Sequence, residues 1–313
     1  MSRAGDRPPS RTDARSAALI PLLGLLWGFN WPAVKIALGE IAPWTLRTTG
    51  LLTAGAILAC IAVLRKRSLA VRRDHWLRLT VAGFLSIACF NVLLAFAQLA
   101  APTSRAVIVT FTMPIWATFF ARFVLGERFD RRRIAGIGLG IAGLAALGWP
   151  LVRAGQLSIG LLYALAAGVC WAAGTVVTKR FPVEAPALAI AAWQLLIGGA
   201  CAGVGMLTFE GLPVLWPLNQ ETALALAYHV LLAQALAYYL WFEVVSRIAA
   251  GIASLGTLMV PAVGVLGAIL VLGERPTRMD YLGLVLIIGA AAAVLLPSFS
   301  SYRAAPMLPP EPQ

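Results

Sequence analysis

The stretch TFTMPIWATFFARFVLGER (residues 110–128) recurs 147 positions later as TLMVPAVGVLGAILVLGER (residues 257–275). Both copies place a proline four residues after a threonine, and both end an apolar run with Leu-Gly-Glu-Arg. A run of this kind fits a helix that crosses the hydrocarbon core of a bilayer, which takes about 20 mostly apolar residues. The duplicated stretch therefore predicts a membrane protein built from two related halves.

The whole chain has the composition of such a protein. Of its 313 residues, 60% are hydrophobic and 12% are charged, whereas a soluble domain is about a quarter charged. The apolar runs are continuous and do not alternate over about ten positions, which favours helices over a β-barrel. Ten runs have the length of a membrane span, and they cover residues 17–38, 43–64, 77–99, 103–125, 132–150, 157–179, 185–208, 222–245, 250–273 and 279–297.

The self-similarity divides these spans into two repeats of five. The first repeat takes residues 17–150 and the second takes residues 157–297; at an offset of 144, Trp27 of the first span overlays Trp171 of the sixth. Because five is odd, the second repeat enters the membrane from the opposite side. We therefore predict an all-α integral membrane protein with ten transmembrane helices in a 5+5 inverted repeat.

The charge distribution predicts how the chain sits in the membrane. The net charge is +12, but the Lys and Arg residues lie mostly in short loops between spans, which argues against a nucleic-acid partner. Nineteen of the 25 fall on the side that holds the N-terminus. This bias predicts an inner-membrane protein with both termini in the cytoplasm. Residues 1–16 and 298–313 are polar or proline-rich, and we expect them to be disordered cytoplasmic tails.

Residues Trp27-Gly28-Phe29-Asn30-Trp31, followed by Lys35, resemble the first-helix motif of the drug/metabolite transporter superfamily, EamA branch. The Leu-Gly-Glu-Arg motifs after Pro114 and Pro261 are similar to that family's hallmark in both halves. The resemblance covers about residues 17–297 and implies a ten-helix bundle with a central cavity, which exports amino acids and related metabolites. The inverted repeat favours the same class, because exchange between the conformations of the two halves gives alternating access to a midplane site.

Polar and aromatic side chains within the spans are candidates for a cavity wall, because such groups face the bundle interior rather than lipid. In the first and eighth spans they recur at spacings of three and four, which places them on one helix face. Helix packing is the alternative interpretation of these faces. The predicted substrate-binding residues are Trp27, Asn30, Trp31, Asn91, Gln98, Thr110, Trp171, Thr175, Gln234, Tyr238, Trp241 and Thr257.

Four further residues are candidates for coupling or gating. Glu243 can take up a proton inside the membrane, or it can pair with Arg247 one turn later. Lys35 either contributes to the cavity or snorkels to the interface. Pro114 and Pro261 each remove a backbone donor, so they can form hinges; the alternative is a threonine bonded back to its own helix.

Three charged positions near helix ends have simpler interpretations. Arg47 lies one turn into the second span, from where we expect its guanidinium to snorkel outward. Glu127 and Glu274, each followed by arginine, lie at the ends of spans. They belong either to a gate or to a structural cap with a loop ion pair.

The leading function is therefore a secondary transporter that exports small metabolites, with amino acids, including hydrophobic or aromatic ones, as substrates. The sequence has no GxxxxGK[ST] motif, so we expect no ATP, no other cofactor and no metal. The alternative is efflux of lipophilic cationic drugs, which needs a buried carboxylate such as Glu243. An enzyme would need a nucleophile–base pair or a metal cluster within the spans, and the sequence offers neither. The expected partners are a small-molecule substrate and the lipid bilayer, with both a monomer and a homodimer open.

Overall fold

The computed structural model describes residues 14–127, 130–153, 158–240 and 250–295, among which there are helices and turns but no strand. Ten helical segments lie in these residues, and each overlaps one predicted span. They are α1 Ala14–Ala37, α2 Pro43–Leu64, α3 Arg73–Ala100, α4 Thr103–Val124, α5 Arg131–Arg153, α6 Ile159–Arg180, α7 Ala187–Phe209, α8 Gln220–Leu240, α9 Ala250–Leu272 and α10 Arg278–Leu295. Within the described ranges, α2 to α8 are seven helices that are long and apolar enough to cross a membrane.

The Leu-Gly-Glu motif ends a helix in both halves. Gly126 and Gly273 follow α4 and α9 with φ angles of 71° and 67°, a conformation that costs glycine little and other residues more. The next amide then turns back on the helix, with Glu127 N donating to Ala121 O at 3.2 Å and Glu274 N donating to Ala268 O at 3.1 Å. The motif thus stops the helix and directs a glutamate side chain away from its axis.

The duplicated Thr–Pro motif has different outcomes in the two halves. In the first half, α4 breaks at Phe111 and Thr112 into Thr103–Thr110 and Met113–Val124, and Pro114 is the second residue after the break. The Thr112 hydroxyl donates to Val109 O at 2.8 Å, which stabilises this break. The second half has Met259 at the matching position, with no hydroxyl to offer, and α9 continues through Pro261.

The third helix of each half contains a π-helical segment. These segments are Phe84–Cys89 in α3 and Tyr228–Leu236 in α8, so they occupy corresponding positions in the two repeats. A π-helical turn inserts an extra residue and rotates the following side chains, and such turns are frequent at functional sites. Here they precede or include two amide residues, Asn91 and Gln234, that the sequence singles out.

The contacts between helices also correspond in the two halves. The pairs α2–α7 and α5–α10 pack along their lengths, and each joins a helix to its own repeat mate. The helix α1 packs along α9 as α6 packs along α4, and α3 packs on α6 as α8 packs on α1. Exchanging each helix with the one five places later therefore leaves this set of contacts unchanged.

At one end of the bundle, carboxylates of the second half bind helix N-termini of the first half. Glu210 accepts hydrogen bonds from the amides of Trp44 at 2.9 Å and Thr45 at 2.7 Å, at the start of α2. Glu274 accepts hydrogen bonds from the amides of Thr103 at 2.6 Å and Ser104 at 2.9 Å, at the start of α4. Each carboxylate thus caps the N-terminus of a helix in the other half, where its charge also complements the helix dipole. We call this end of the molecule the Glu210 rim.

The connection after α4 carries Glu127, which corresponds to Glu274 in the duplicated motif. Glu127 accepts a hydrogen bond from Lys179 of α6 and pairs with Arg133 of α5 at 2.9 Å. The Lys179 hydrogen bond is the main reason why the pKa of the Glu127 carboxyl lies below its usual range. This geometry is the loop ion pair that the sequence offered as an alternative to a gate.

We expect the contribution of Glu127 to stability to depend on pH. Because the folded-state pKa is lower than that of an unfolded chain, the contribution is complete above the ordinary glutamate value, about 4.3, and is lost as the pH falls through the folded value. Thermal unfolding of the wild type and of Glu127→Gln, followed in detergent between pH 7 and pH 3.5, measures it. The wild type should be the more stable at pH 7, and the difference between the two curves should shrink as the pH falls below about 4.3. A constant difference between the curves would show that the ion pair carries no such linkage.

Candidate functional site

A cavity of about 170 Å³ lies at the centre of the bundle, where helices of both halves meet. One water needs roughly 15 Å³, so the cavity has room for a small organic molecule. Its wall is mainly aromatic and aliphatic, with a few amides and one guanidinium. The lining residues are Trp27, Asn30, Trp31, Val34, Arg47, Phe90, Asn91, Leu94, Gln98, Phe111, Trp171, Ala233, Gln234, Tyr238 and Val260.

The structure brings eight of the twelve predicted substrate-binding residues together around this central cavity. They are Trp27, Asn30, Trp31, Asn91, Gln98, Trp171, Gln234 and Tyr238. Trp241 and the predicted coupling residue Glu243 lie outside the described residues, as does the side chain of Thr257. Their roles stay predictions.

Two predicted threonines do not line the cavity. Thr110 is buried, and its hydroxyl donates to Ala164 O of α6 at 3.4 Å. Thr175 is exposed, and its hydroxyl donates to Trp171 O of its own helix at 2.9 Å. Thr175 is therefore bonded back to its own helix, whereas Thr110 bonds to a neighbouring helix.

Lys35 lies beside the cavity without lining it. It is half-buried near the end of α1, and its ammonium group donates to the backbone carbonyl of Gln98 on α3. This bond ties two helices of the first half together. Lys35 is therefore held by a protein acceptor instead of snorkelling to the interface.

Aromatic rings pack against one another along the cavity wall. Trp27 meets Tyr238 with ring centroids 5.8 Å apart, and Phe90 meets Trp171 at 4.8 Å. The Trp27 indole N–H is satisfied by Ala233 O at 3.1 Å, which fixes the ring between α1 and α8. Locked rings of this kind form a rigid apolar surface for a ligand side chain.

Two of the amide side chains in the cavity wall are held through their nitrogen atoms. Asn91 Nδ2 donates to Ile87 O at 2.9 Å, and Gln98 Nε2 donates to Trp31 O at 3.2 Å. The carbonyl oxygens of Gln98 and Gln234 are buried and have no hydrogen-bond partner among the described residues. Because unmet buried acceptors are costly, these two oxygens are available to a donor on a ligand.

The expectation that Arg47 snorkels outward is wrong. Its side chain is 1% exposed and lines the cavity, where Nη1 lies 3.5 Å from Asn91 Oδ1. It shares a helix face with Leu51, Ala54 and Leu58, which are all buried against other helices. Because every face of α2 is apolar, the spacing of residues did not reveal which face turns inward.

His229 is a second residue that sequence reasoning missed. It is fully buried in the π-helical segment of α8, and its Nδ1 lies 2.8 Å from Asn30 Oδ1. The imidazole thereby fixes the Asn30 amide at the cavity wall. It packs so closely against Gly50 of α2 that a Cβ atom there would lie 2.9 Å from His229 Nε2. No motif surrounds His229, so the sequence held no signal for this contact.

Comparison with known proteins places the chain in a family. The model of the EamA-like transporter family matches twice, over residues 15–149 and 158–296. The chain is 26% identical to a probable amino-acid metabolite efflux pump of Salmonella typhimurium, over 89% of this chain and 93% of that protein. It is 25% identical to the uncharacterized inner membrane transporter YedA of Escherichia coli, over 95% and 97% of the two chains.

A solved crystal structure shares the fold. That protein is 25% identical in sequence, and it superposes with a TM-score of 0.63 over 90% of this chain and 98% of its own. Because it covers nine tenths of this chain, the likeness extends over both halves. The double family match, the apolar helices and the transporter relatives lead to one conclusion: the chain belongs to the EamA-like transporter family, and it is a multi-pass membrane transporter of small metabolites.

Proposed function

We propose that this protein is a secondary exporter of amino acids, including hydrophobic or aromatic ones, that works by alternating access to the central cavity. The observation that carries the proposal is the cavity wall, which combines fixed aromatic rings with unpaired amide oxygens and a guanidinium. Rings suit an apolar side chain, and polar groups of opposite kinds suit a zwitterionic head group. A relative named as a probable amino-acid metabolite efflux pump supports the substrate class.

The proposed mechanism needs ten membrane-spanning helices in a 5+5 inverted repeat. Support comes from the pairing of helices, which is unchanged when each helix is exchanged with its repeat mate. Further support comes from the cavity itself, to which α1, α2, α3 and α4 contribute from one half and α6, α8 and α9 from the other. Rocking of one half against the other would open the cavity to each side in turn.

The proposed setting is the inner membrane, with both termini in the cytoplasm. The distribution of Lys and Arg among the loops supports this orientation. In this orientation, the Glu210 rim faces outward. Its carboxylate caps then link the two halves on the side to which an exporter releases its substrate.

Efflux of lipophilic cations is less compatible with the cavity. Such a ligand needs a carboxylate or an aromatic cage free of positive charge. Among the described lining residues none is acidic, and Arg47 places a cation in the wall. The cation alternative therefore depends on Glu243, which lies outside the described residues.

Flux in proteoliposomes tests the proposal. Vesicles that contain the purified protein are loaded with labelled phenylalanine, leucine, serine or tetraphenylphosphonium, and a pH gradient is imposed. We expect saturable flux of the amino acids and none of the cation. A Trp171→Ala variant should lower phenylalanine flux about fivefold, because it removes a ring contact worth on the order of 1 kcal/mol.

The matched control is Trp149→Ala, which removes a tryptophan that is 60% exposed at the end of α5. This variant should transport like the wild type. Flux of tetraphenylphosphonium without amino-acid flux would overturn the proposed substrate class, and the absence of all flux would overturn the transport proposal.

A further inference from the structure

Arg47 is a buried cation without a counter-charge in the described part of the chain. Its side chain is 1% exposed, and no acidic residue is found among the described residues that line the cavity. The nearest hydrogen-bond contact is a long one, 3.5 Å from Nη1 to Asn91 Oδ1. Burying an unpaired charge is strongly unfavourable, so a site of this kind calls for an anionic partner.

The unpaired atoms of Arg47 identify the kind of anion. Nε and Nη2 both lack a hydrogen-bond partner among the described residues, whereas Nη1 has the contact with Asn91. The N–H groups of Nε and Nη2 point in the same direction along one edge of the planar guanidinium. This edge matches the two oxygens of a carboxylate, which it binds through two parallel hydrogen bonds.

The rest of the cavity fits the remainder of an amino acid. The unpaired oxygens of Gln98 and Gln234 are acceptors, which suit an ammonium group. The rings of Trp27, Trp171 and Tyr238 form an apolar wall for a side chain. The cavity thus combines hydrogen-bond donors for a carboxylate with acceptors for an ammonium group, and a zwitterion requires both.

We propose that Arg47 binds the carboxylate of the transported substrate through its Nε–Nη2 edge, with Gln98 and Gln234 as acceptors for the ammonium group. This inference rests on the proposed function in one respect, which is that the substrate binds in the central cavity. It narrows the substrate class to molecules that carry a free carboxylate. An amide, an ester or a decarboxylated amine would leave Arg47 unpaired and bring no compensating charge.

Binding measurements separate this inference from transport. The intrinsic tryptophan fluorescence of the purified protein in nanodiscs reports ligands at the cavity, because three tryptophans line it. The probes are phenylalanine with phenylalaninamide, leucine with leucinamide, and 3-phenylpropionate with phenethylamine. We expect the wild type to bind the carboxylate member of each pair about 100-fold more tightly, as befits a bidentate charge-assisted pair.

Variants assign the discrimination to Arg47. In Arg47→Gln the preference for the carboxylate probe should fall below about threefold. Arg47→Lys should retain an intermediate preference, because an ammonium group keeps the charge but lacks the two parallel N–H groups of the guanidinium. Arg78→Gln is the matched control: Arg78 lies near the start of α3, where it contacts Pro182 O at 3.5 Å, and it does not line the cavity. Size-exclusion profiles establish that each variant is folded, and Arg47→Lys carries the test if Arg47→Gln does not fold.

The outcomes distinguish the two proposals. Carboxylate selectivity that depends on Arg47 supports the inference even if proteoliposomes show no flux, in which case the proposed function fails alone. The inference is overturned by equal binding within the pairs, or by no binding of any carboxylate probe. It is also overturned if the selectivity survives in Arg47→Gln. If Arg47→Gln does not fold, selectivity that survives undiminished in Arg47→Lys overturns it. Transport of amines or amides in that case leaves the transporter standing with a different substrate class.

Discussion

A Gly160→Ala variant is expected to lose a large part of its stability. A Cβ atom at this position, at the start of α6, would lie 2.6 Å from the carbonyl carbon of Ala100 and 2.7 Å from its oxygen. These are backbone atoms at the end of α3, so they cannot move aside as a flexible side chain would. Overpacking of this kind costs about 1–3 kcal/mol or more, which is a large fraction of the stability of a typical protein.

Thermal unfolding and size-exclusion chromatography in detergent measure the effect. Gly138→Ala is the matched control, because a Cβ atom there would meet nothing within 4 Å in the described structure. Alanine also favours a helix over glycine by roughly 0.5–1 kcal/mol, so the control should be as stable as the wild type or more so. Equal unfolding temperatures for the two variants would contradict the close contact between α6 and α3.

Combined replacement of Glu210 and Glu274 by alanine is expected to loosen the Glu210 rim. Each carboxylate accepts two backbone N–H groups of the other half, and Glu210 also accepts the Thr45 hydroxyl at 2.9 Å. Loss of a helix cap costs about 0.5–2 kcal/mol. The two sites share no partners, so their effects should add to about 1–4 kcal/mol.

Hydrogen exchange locates this effect in the structure. The amides of Thr45 and Thr103 should exchange at least tenfold faster in the double variant, because they lose their acceptors. Glu221→Ala is the control, since Glu221 is exposed in the first turn of α8. If exchange at α2 and α4 stays unchanged, then the caps do not hold the rim closed. In an alternating-access transporter, the same variant would favour the state that is open at this rim.

The amino-acid sequence by itself determined the helical membrane class, the family and most of the cavity wall. Apolar runs of about 20 residues have only one well-satisfied backbone conformation in lipid, so their positions could be predicted to within a few residues. The spacing of Trp27, Asn30 and Trp31 identified one inward face, because polar atoms inside a span are excluded from lipid. The duplicated Leu-Gly-Glu motif marked corresponding helix ends in both halves.

Only the tertiary structure decided which groups meet. Arg47 lies in a helix whose faces are equally apolar, so the rotation of this helix about its axis could not be predicted and depended on packing against other helices. His229 lies in a π-helical segment, where side chains depart from the α-helical spacing that a sequence pattern assumes. The break in α4 and the continuity of α9 follow from a difference between corresponding positions of the two repeats. The first repeat has Thr112 there, whose hydroxyl stabilises the break, and the second has Met259. Glu210 and Glu274, which follow helix ends, find their hydrogen-bond donors in the other half. Such contacts join residues more than 160 positions apart, and local sequence patterns carry no record of them.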